Sequence, residues 1–145
     1  MSKPSEQQDD NPAVTYALCA AEAAQAKKGF AVTIVDVDGR CSYADAIMIV
    51  STNNDRQTSA VAQAIEASLA EKHKIKPIHR EGKGAWNLVD FGTLLVHVFQ
   101  EDTRSYYDID QLWSDAPRIP VPALSSPVAE STPTSLARRK SLTQQ

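Results

Sequence analysis

Five consecutive apolar residues, Ala46-Ile47-Met48-Ile49-Val50, constrain this chain more than any other stretch. A strand with one face in water alternates apolar and polar side chains, because successive residues point to opposite faces. Here no position is polar. The run is short for a helix and holds two isoleucines and a valine, so it reads as a strand buried on both faces. Such a strand needs a covering layer above and below, which calls for a sheet with helices packed on it.

The flanking sequence supplies the pieces. Asn11-Pro12 reads as a helix N-cap followed by proline at the first helical position. The alanine-rich run from Ala13 to Lys28 then forms a helix, with Val14, Leu18, Ala21 and Gln25 marking its inner side and Gly29 as the left-handed stop. Phe30 to Val37 alternates and is β-branched, so it is a strand, and Gly39 turns the chain. After the central run, extended to Ala44–Ser51, Asn54 and Gln57 form a capping box. Val61, Ile65 and Leu69 make the buried stripe of a helix reaching about Lys72. Ile75 to Glu81 holds a short strand that Pro77 pushes toward an edge. Ala85–Asp90 and Thr93–Phe99 make a hairpin about Phe91-Gly92. Asp102 to Trp113 is a last helix, stopped by Pro117. The fold class is α/β (α+β): a mixed sheet of about five strands with helices packed on it. The strand–helix–strand unit around the second helix is expected to be a right-handed parallel crossover.

Composition sets the boundaries. Residues 1–10 lack a large apolar side chain apart from Met1. Residues 121–145 hold three prolines and eight Ser/Thr, with no glycine and no aromatic. Neither segment buries enough apolar surface to offset ordering entropy, so 1–10 and 120–145 are expected to be disordered around one domain at 11–119. No stretch of about 18 apolar residues is present, and the polar, acidic start fits neither a signal nor a transit peptide. A cytoplasmic location is expected, which suits two unpaired thiols, Cys19 and Cys41. With 15 Lys+Arg against 18 Asp+Glu, the net charge of −3 argues against a chain held mainly by phosphates. The short basic cluster Arg138-Arg139-Lys140 either touches RNA or a phospholipid surface or is solvated.

Three groups of residues could carry function. Asp36-Val37-Asp38 places two carboxylates at i and i+2, which can grip a divalent metal in a nucleotidyltransferase, with Asp45 as a third acid. That chemistry also needs a phosphate cradle, usually Gly-Ser, and Ala26-Lys27-Lys28-Gly29-Phe30 offers none; the other reading has both acids polarising the Gly39 turn. An RNA-binding reading uses Lys27, Lys28, Lys72, Lys74, Lys76 and the tail, but the body is not basic. His73 and His79 are expected to be solvated. His97 has no carboxylate within reach, since Asp90 lies at the far end of the hairpin, and a surface hydrogen-bonding role is expected for it. No GxGxxG, P-loop or HExxH occurs. The third group is a late cluster of aromatics and charges, Trp86, Asp90, Phe91, His97, Phe99, Tyr106, Tyr107 and Trp113, which has the composition of a protein-binding patch. Trp86, sharing a strand face with Leu88 and Asp90, is the expected anchor.

Several motifs occur together in order: Cys41-Ser42-Tyr43-Ala44-Asp45, Asn54-Asp55-Arg56-Gln57, Glu81-Gly82 with Trp86, Asp90-Phe91-Gly92, Val96-His97-Val98-Phe99, and Tyr106-Tyr107-Asp108 with Leu112-Trp113. Over about residues 12 to 117 the chain resembles the ribosomal silencing factor (Iojap-like) family. Phe91 stands where tyrosine is usual and Thr93 where aspartate is usual. The resemblance implies a nucleotidyltransferase-related fold without catalytic apparatus, no cofactor, and binding to the large ribosomal subunit through its fourteenth protein, L-fourteen. It implies a steric block of subunit joining that turns translation down when nutrients are short. It also implies a tendency to form homodimers, with direct RNA contact minor. Carried onto matching positions, it makes Trp86, Asp90, His97, Arg104, Tyr106 and Tyr107 the candidates for the partner face.

Overall fold

A computed structural model describes residues 11–123. In chain order the elements are α1 (Pro12–Ala26), β1 (Phe30–Asp36), β2 (Ala46–Thr52), α2 (Asp55–His73), β3 (His79–Glu81), β4 (Trp86–Asp90), β5 (Leu94–Gln100), α3 (Glu101–Tyr107) and α4 (Ile109–Leu112). The sheet runs in the order β1-β2-β5-β4-β3. Only β2 and β5 pair in parallel; the other three pairs are antiparallel. This is the expected mixed five-stranded sheet.

The crossover through α2 runs differently from a simple neighbour-to-neighbour unit. β3 points the same way as β2 but lands at the opposite edge, because β5 and β4 occupy the space between them. Pro77 lies just before β3, which is an exposed edge strand shortened to three residues. The residue before it, Ile78, already donates its N–H to the Asp90 carbonyl at 2.8 Å.

The apolar run behaves as its composition demands: all seven residues of β2 are buried. One side of the sheet presents Ile34, Ala46, Met48, Val50, Val89, Leu94, Val96 and Val98 to α1 and α2. The other presents Val35, Ile47, Ile49 and Phe99 to a second, smaller cluster. That second side carries no long helix. The turn after β1 (Val37, Cys41 and Ala44), α3, α4 and the following loop with Ala116 lie along it, with Ile109 and Trp113 partly buried there.

Both long helices start as the sequence requires. Asn11 caps α1 by accepting from the Ala13 N–H at 3.2 Å, and it is itself buried. Asn54 caps α2 by accepting from the Gln57 N–H at 2.8 Å. The Gln57 side chain returns the bond to the Asn53 N–H, one residue before the cap. Val61, Ile65 and Leu69 are fully buried.

The inner side of α1 matches the expected one only in part: Val14 and Ala21 are buried there. Ala13, Ala17, Ala20 and Ala24 are fully buried, whereas Leu18 and Gln25 are half-buried. Alanines at this spacing let the helix lie close to the sheet, so the smallest side chains, not the largest, mark the contact. Gly29 is part of that close approach. A Cβ there would fall 2.8 Å from a Val50 methyl, and the left-handed position is taken by Lys28 at φ +71°.

The expected helix over 102–113 is two helices, broken at Asp108, which is left-handed at φ +51°. The segment after α4 returns to the free edge of β1, where the Asp36 N–H donates to the Pro117 carbonyl and the Ile119 N–H to the Ile34 carbonyl. Val121 packs on the larger core. Residues 1–10 and 124–145, including the basic cluster at 138–140, lie outside the described residues. Among the described residues no helix is long and apolar enough to cross a membrane.

Candidate protein-docking face

The pleat fixes which side chains can meet on the second side of the sheet. β4 and β5 pair with Trp86 opposite Phe99, Leu88 opposite His97 and Asp90 opposite Leu95. Cross-strand partners share a face, so these six project together, away from α1 and α2. Tyr107, at the end of α3, folds back over the Trp86 end.

The result is a stack of rings. Phe99 is fully buried at its base. Trp86 stacks on Phe99 with ring centres 4.8 Å apart and lies 4.7 Å from Tyr107. His97 is nearly parallel to Phe99 at 5.6 Å. Tyr106 meets Tyr107 edge-on at 5.0 Å. Exposure rises outward: Trp86 is half-buried, Tyr107 is 50% exposed and Tyr106 81% exposed. Leu112 is also exposed, and five acids (Glu101, Asp102, Asp108, Asp110 and Asp115) stand against one arginine between residues 101 and 115. Asp110 is taken up by Arg104 and Asp115 lies 4.0 Å from Arg40, which leaves the exposed Glu101, Asp102 and Asp108 beside an apolar centre, chemistry suited to a basic protein surface.

His97 is buried, not at the surface as expected. Trp86 donates its indole N–H to His97 Nδ1 at 3.2 Å, which requires that nitrogen to be an acceptor and the ring to be neutral. Burial pushes its pKa down to about 4, with Asp110 pulling weakly the other way. Period-two alternation correctly placed His97 on this face; its burial comes from the rings of distant residues.

Arg104 turns inward. Its side chain is 12% exposed and its five N–H groups all find acceptors within the chain. Nε and one terminal nitrogen form a bidentate pair with Asp110 at 2.9 and 2.8 Å. The remaining bonds reach the Ala31 carbonyl at 2.6 Å, Ser51 Oγ at 3.0 Å and Thr33 Oγ1 at 3.0 Å. Hydrogen bonds from the guanidinium hold the Asp110 carboxyl below its ordinary range, against the effect of burial.

Asp90 is on the same face but at the far end of β4, some 13 Å from Trp86 at strand rise. Its carboxylate accepts from the Gly92 N–H at 2.8 Å and shapes the hairpin turn, where Gly92 has φ +95°. Of the six expected partner-face residues, then, Trp86, His97, Tyr106 and Tyr107 come together, Asp90 stands apart, and Arg104 faces β1. Phe99 and Asp110 belong to the arrangement but were not among the six. Phe99 was visible as part of the aromatic cluster. Asp110 gave no signal, because its approach to Arg104 depends on the break at Asp108.

Asp36 and Asp38 do not share a strand face. β1 ends at Asp36, and Asp38 lies in the following turn. Asp36 accepts from the Asp38 N–H at 3.1 Å and from the Asn11 amide at 3.0 Å, tying the turn to the start of α1. Among the described residues no three His, Cys, Asp or Glu side chains converge as a metal site. His79 is paired with Glu81 at 3.0 Å, and His73 meets the Tyr16 ring edge-on.

The chain is similar to known proteins. Residues 10–145 match the family described as ribosomal silencing factor during starvation. The ribosomal silencing factor of Bacillus subtilis is 36% identical over 99 residues, covering 68% of this chain and 84% of its own. That of Halalkalibacterium halodurans is 33% identical over 101 residues, 69% of this chain and 86% of its own. A crystal structure of a Chromobacterium violaceum protein superposes with a TM-score of 0.67 at 30% identity, covering 77% of this chain and 94% of that one.

Proposed function

The chain belongs to the ribosomal silencing factor family, translation-silencing proteins, and from that premise we propose that it silences by occupying the large ribosomal subunit where the small subunit would dock. The contact is ribosomal protein L-fourteen, and the docking face is the ring stack of Trp86 and Tyr107 with Tyr106 at its rim. The observation that carries this reading is the graded exposure of that stack: buried at Phe99, half-buried at Trp86 and open at Tyr106. A large aromatic half-seated in its own protein offers a rigid apolar surface at little entropic cost, the property of an interface anchor.

The mechanism is steric. A folded body of this size, with a radius of gyration of about 13 Å, is roughly 34 Å across, enough to keep two surfaces from meeting. An interface of roughly 800 Å² on each partner supports stable binding when its central anchors fit. The acidic rim favours encounter with a basic ribosomal protein and weakens as salt screens it. No chemical step is needed, and the commitment of Asp36 to a turn and to Asn11 favours this reading over a metal-dependent nucleotidyltransferase. The action takes place in the cytoplasm, where subunits join.

Sedimentation of purified subunits with the full chain tests it. The protein is expected with free large subunits and absent from small subunits and joined ribosomes, and it should lower the fraction of subunits that join. The Asp36→Ala, Asp38→Ala double variant, checked for folding by circular dichroism, should inhibit equally. Migration with small subunits, or a folded double variant that binds but no longer inhibits, would overturn the proposal.

A further inference from the structure

We infer that Arg104 is a positioning residue: it fixes the α3–α4 arm to the sheet and so sets where Tyr106 and Tyr107 stand over Trp86, without touching the partner itself. The inference rests on the docking face proposed above. Neither α3 nor α4 has a buried residue, so the arm is poorly held by packing. Tyr107 leans on Trp86 and Phe99, and Ile109 and Trp113 are only partly buried.

Arg104 supplies what packing does not. From the middle of α3 it reaches β1 through Ala31 and Thr33, β2 through Ser51, and α4 through Asp110. The first of these acceptors is built by strain. Ala31 sits in the left-handed region at φ +52°, within an irregularity of the β1–β2 register between Phe30 and Thr33. An L-residue adopts that conformation at a cost, and here it accompanies a carbonyl bonded to the guanidinium instead of lost to a regular ladder. Arg104 also closes the arm upon itself. The Asp110 fork spans the left-handed Asp108 and fixes the angle between α3 and α4.

A partner's carboxylate or phosphate would have to displace one of these five acceptors to reach the guanidinium. Lysine could not reproduce the arrangement, because an ammonium has three donors and no planar fork. Tyr106 and Tyr107 are two and three residues along the same helix from Arg104, so any rotation or lift of α3 moves both rings.

The test uses Arg104→Ala, Arg104→Lys, Tyr107→Ala and the Arg104→Ala, Tyr107→Ala double variant of the full chain. In the free protein, nuclear Overhauser contacts between the Tyr107 and Trp86 rings should be lost in Arg104→Ala, and lost or weakened in Arg104→Lys. Affinity for purified large subunits should fall about 10- to 100-fold in Arg104→Ala. The double variant should bind no worse than the weaker single variant, within about twofold, since an arginine that works through Tyr107 has nothing left to lose without it. Multiplying losses, or ring contacts that persist in Arg104→Ala, would overturn the inference. Should Arg104→Ala fail to fold, Asp110→Asn opens the fork while keeping its shape, and the same ring contacts decide. A Tyr107→Ala variant with undiminished affinity would sink the docking face instead, leaving the ring contacts of the free protein to judge Arg104.

Discussion

On the helix-covered side of the sheet, Met48, Val50, Val96 and Val98 meet alanines of α1 and the aliphatic stripe of α2. On the other side, one residue along each strand, Ile49 and Phe99 belong to a cluster that takes in Trp86, and His97 lies parallel to Phe99. The first side is sealed by two long helices whose small and branched side chains fit closely. The second is covered by the turn after β1, through Val37, Cys41 and Ala44, and by an arm whose two helices hold no buried residue and which is tied down by one arginine, ring contacts, Ile109 and Trp113. The same strands, read one residue out of phase, thus build a core and a ledge. Sealed packing serves stability alone, whereas a ledge keeps large, rigid side chains partly in water, where another surface can complete their burial.

The contrast can be broken most forcefully from the sealed side. Leu69→Ala empties a fully buried site and should cost about 2–5 kcal/mol of folding stability, measured by chemical denaturation, while the folded fraction keeps its affinity for large subunits within about twofold. Loss of affinity beyond the unfolded fraction would mean that α2 shares in docking.

Next in size is Trp86→Ala, which should weaken binding by about 2–4 kcal/mol, some 30- to 1000-fold, with a stability loss smaller than that of Leu69→Ala. Thermal midpoint and affinity for purified L-fourteen, measured side by side, distinguish the two. A large fall in midpoint with affinity intact would return Trp86 to the core and erase the difference between the faces.

A third prediction sharpens the comparison through pH. His97 is held neutral, with its pKa lowered from 6.5 to about 4. Between these values the unfolded chain binds more protons than the folded one, so stability is complete above about pH 6.5 and declines as pH falls toward 4. The decline attributable to His97 is roughly 3 kcal/mol at most. Subtracting the pH–stability curve of His97→Gln, taken by urea titration, should isolate it; parallel curves would show that His97 does not sense acid. Asp110 differs in its window. Its depressed carboxyl contributes above its ordinary range and is lost only as pH falls below that range, so the Arg104 fork should outlast the neutral His97.

Much of the sealed side was legible in the sequence. The AIMIV run, the Val61-Ile65-Leu69 stripe and the two asparagine caps each depend on neighbours within a few residues, and each stands where its local pattern puts it. The ledge was legible only as a list of aromatics. That His97 is buried depends on Trp86 and Phe99 across the hairpin and on an arm that bends at Asp108. Asp108 has no glycine to announce its left-handed conformation. Arg104 looked like a surface contact because its acceptors lie more than 50 positions back along the chain, at Ala31, Thr33 and Ser51. The alanine stripe of α1 misled in the opposite way. Val14 is buried as hydrophobic weight suggests, but Leu18 is only half-buried, because the close approach marked by Gly29 selects the smallest residues.

The parallel pairing of β2 with β5 carries a consequence for how fast the chain can fold. It joins Ala46 to Leu94, 48 positions away, whereas the β4–β5 hairpin closes over three residues. Closing the longer loop costs about 2–3 kcal/mol more entropy before any contact rewards it. The hairpin can therefore form within microseconds as a free-standing template, and β2 must find it afterwards, once α2 has shortened the path between them. Until that moment the most apolar strand in the molecule has no partner on its β5 side, and this interval sets when a nascent chain is most exposed to aggregation.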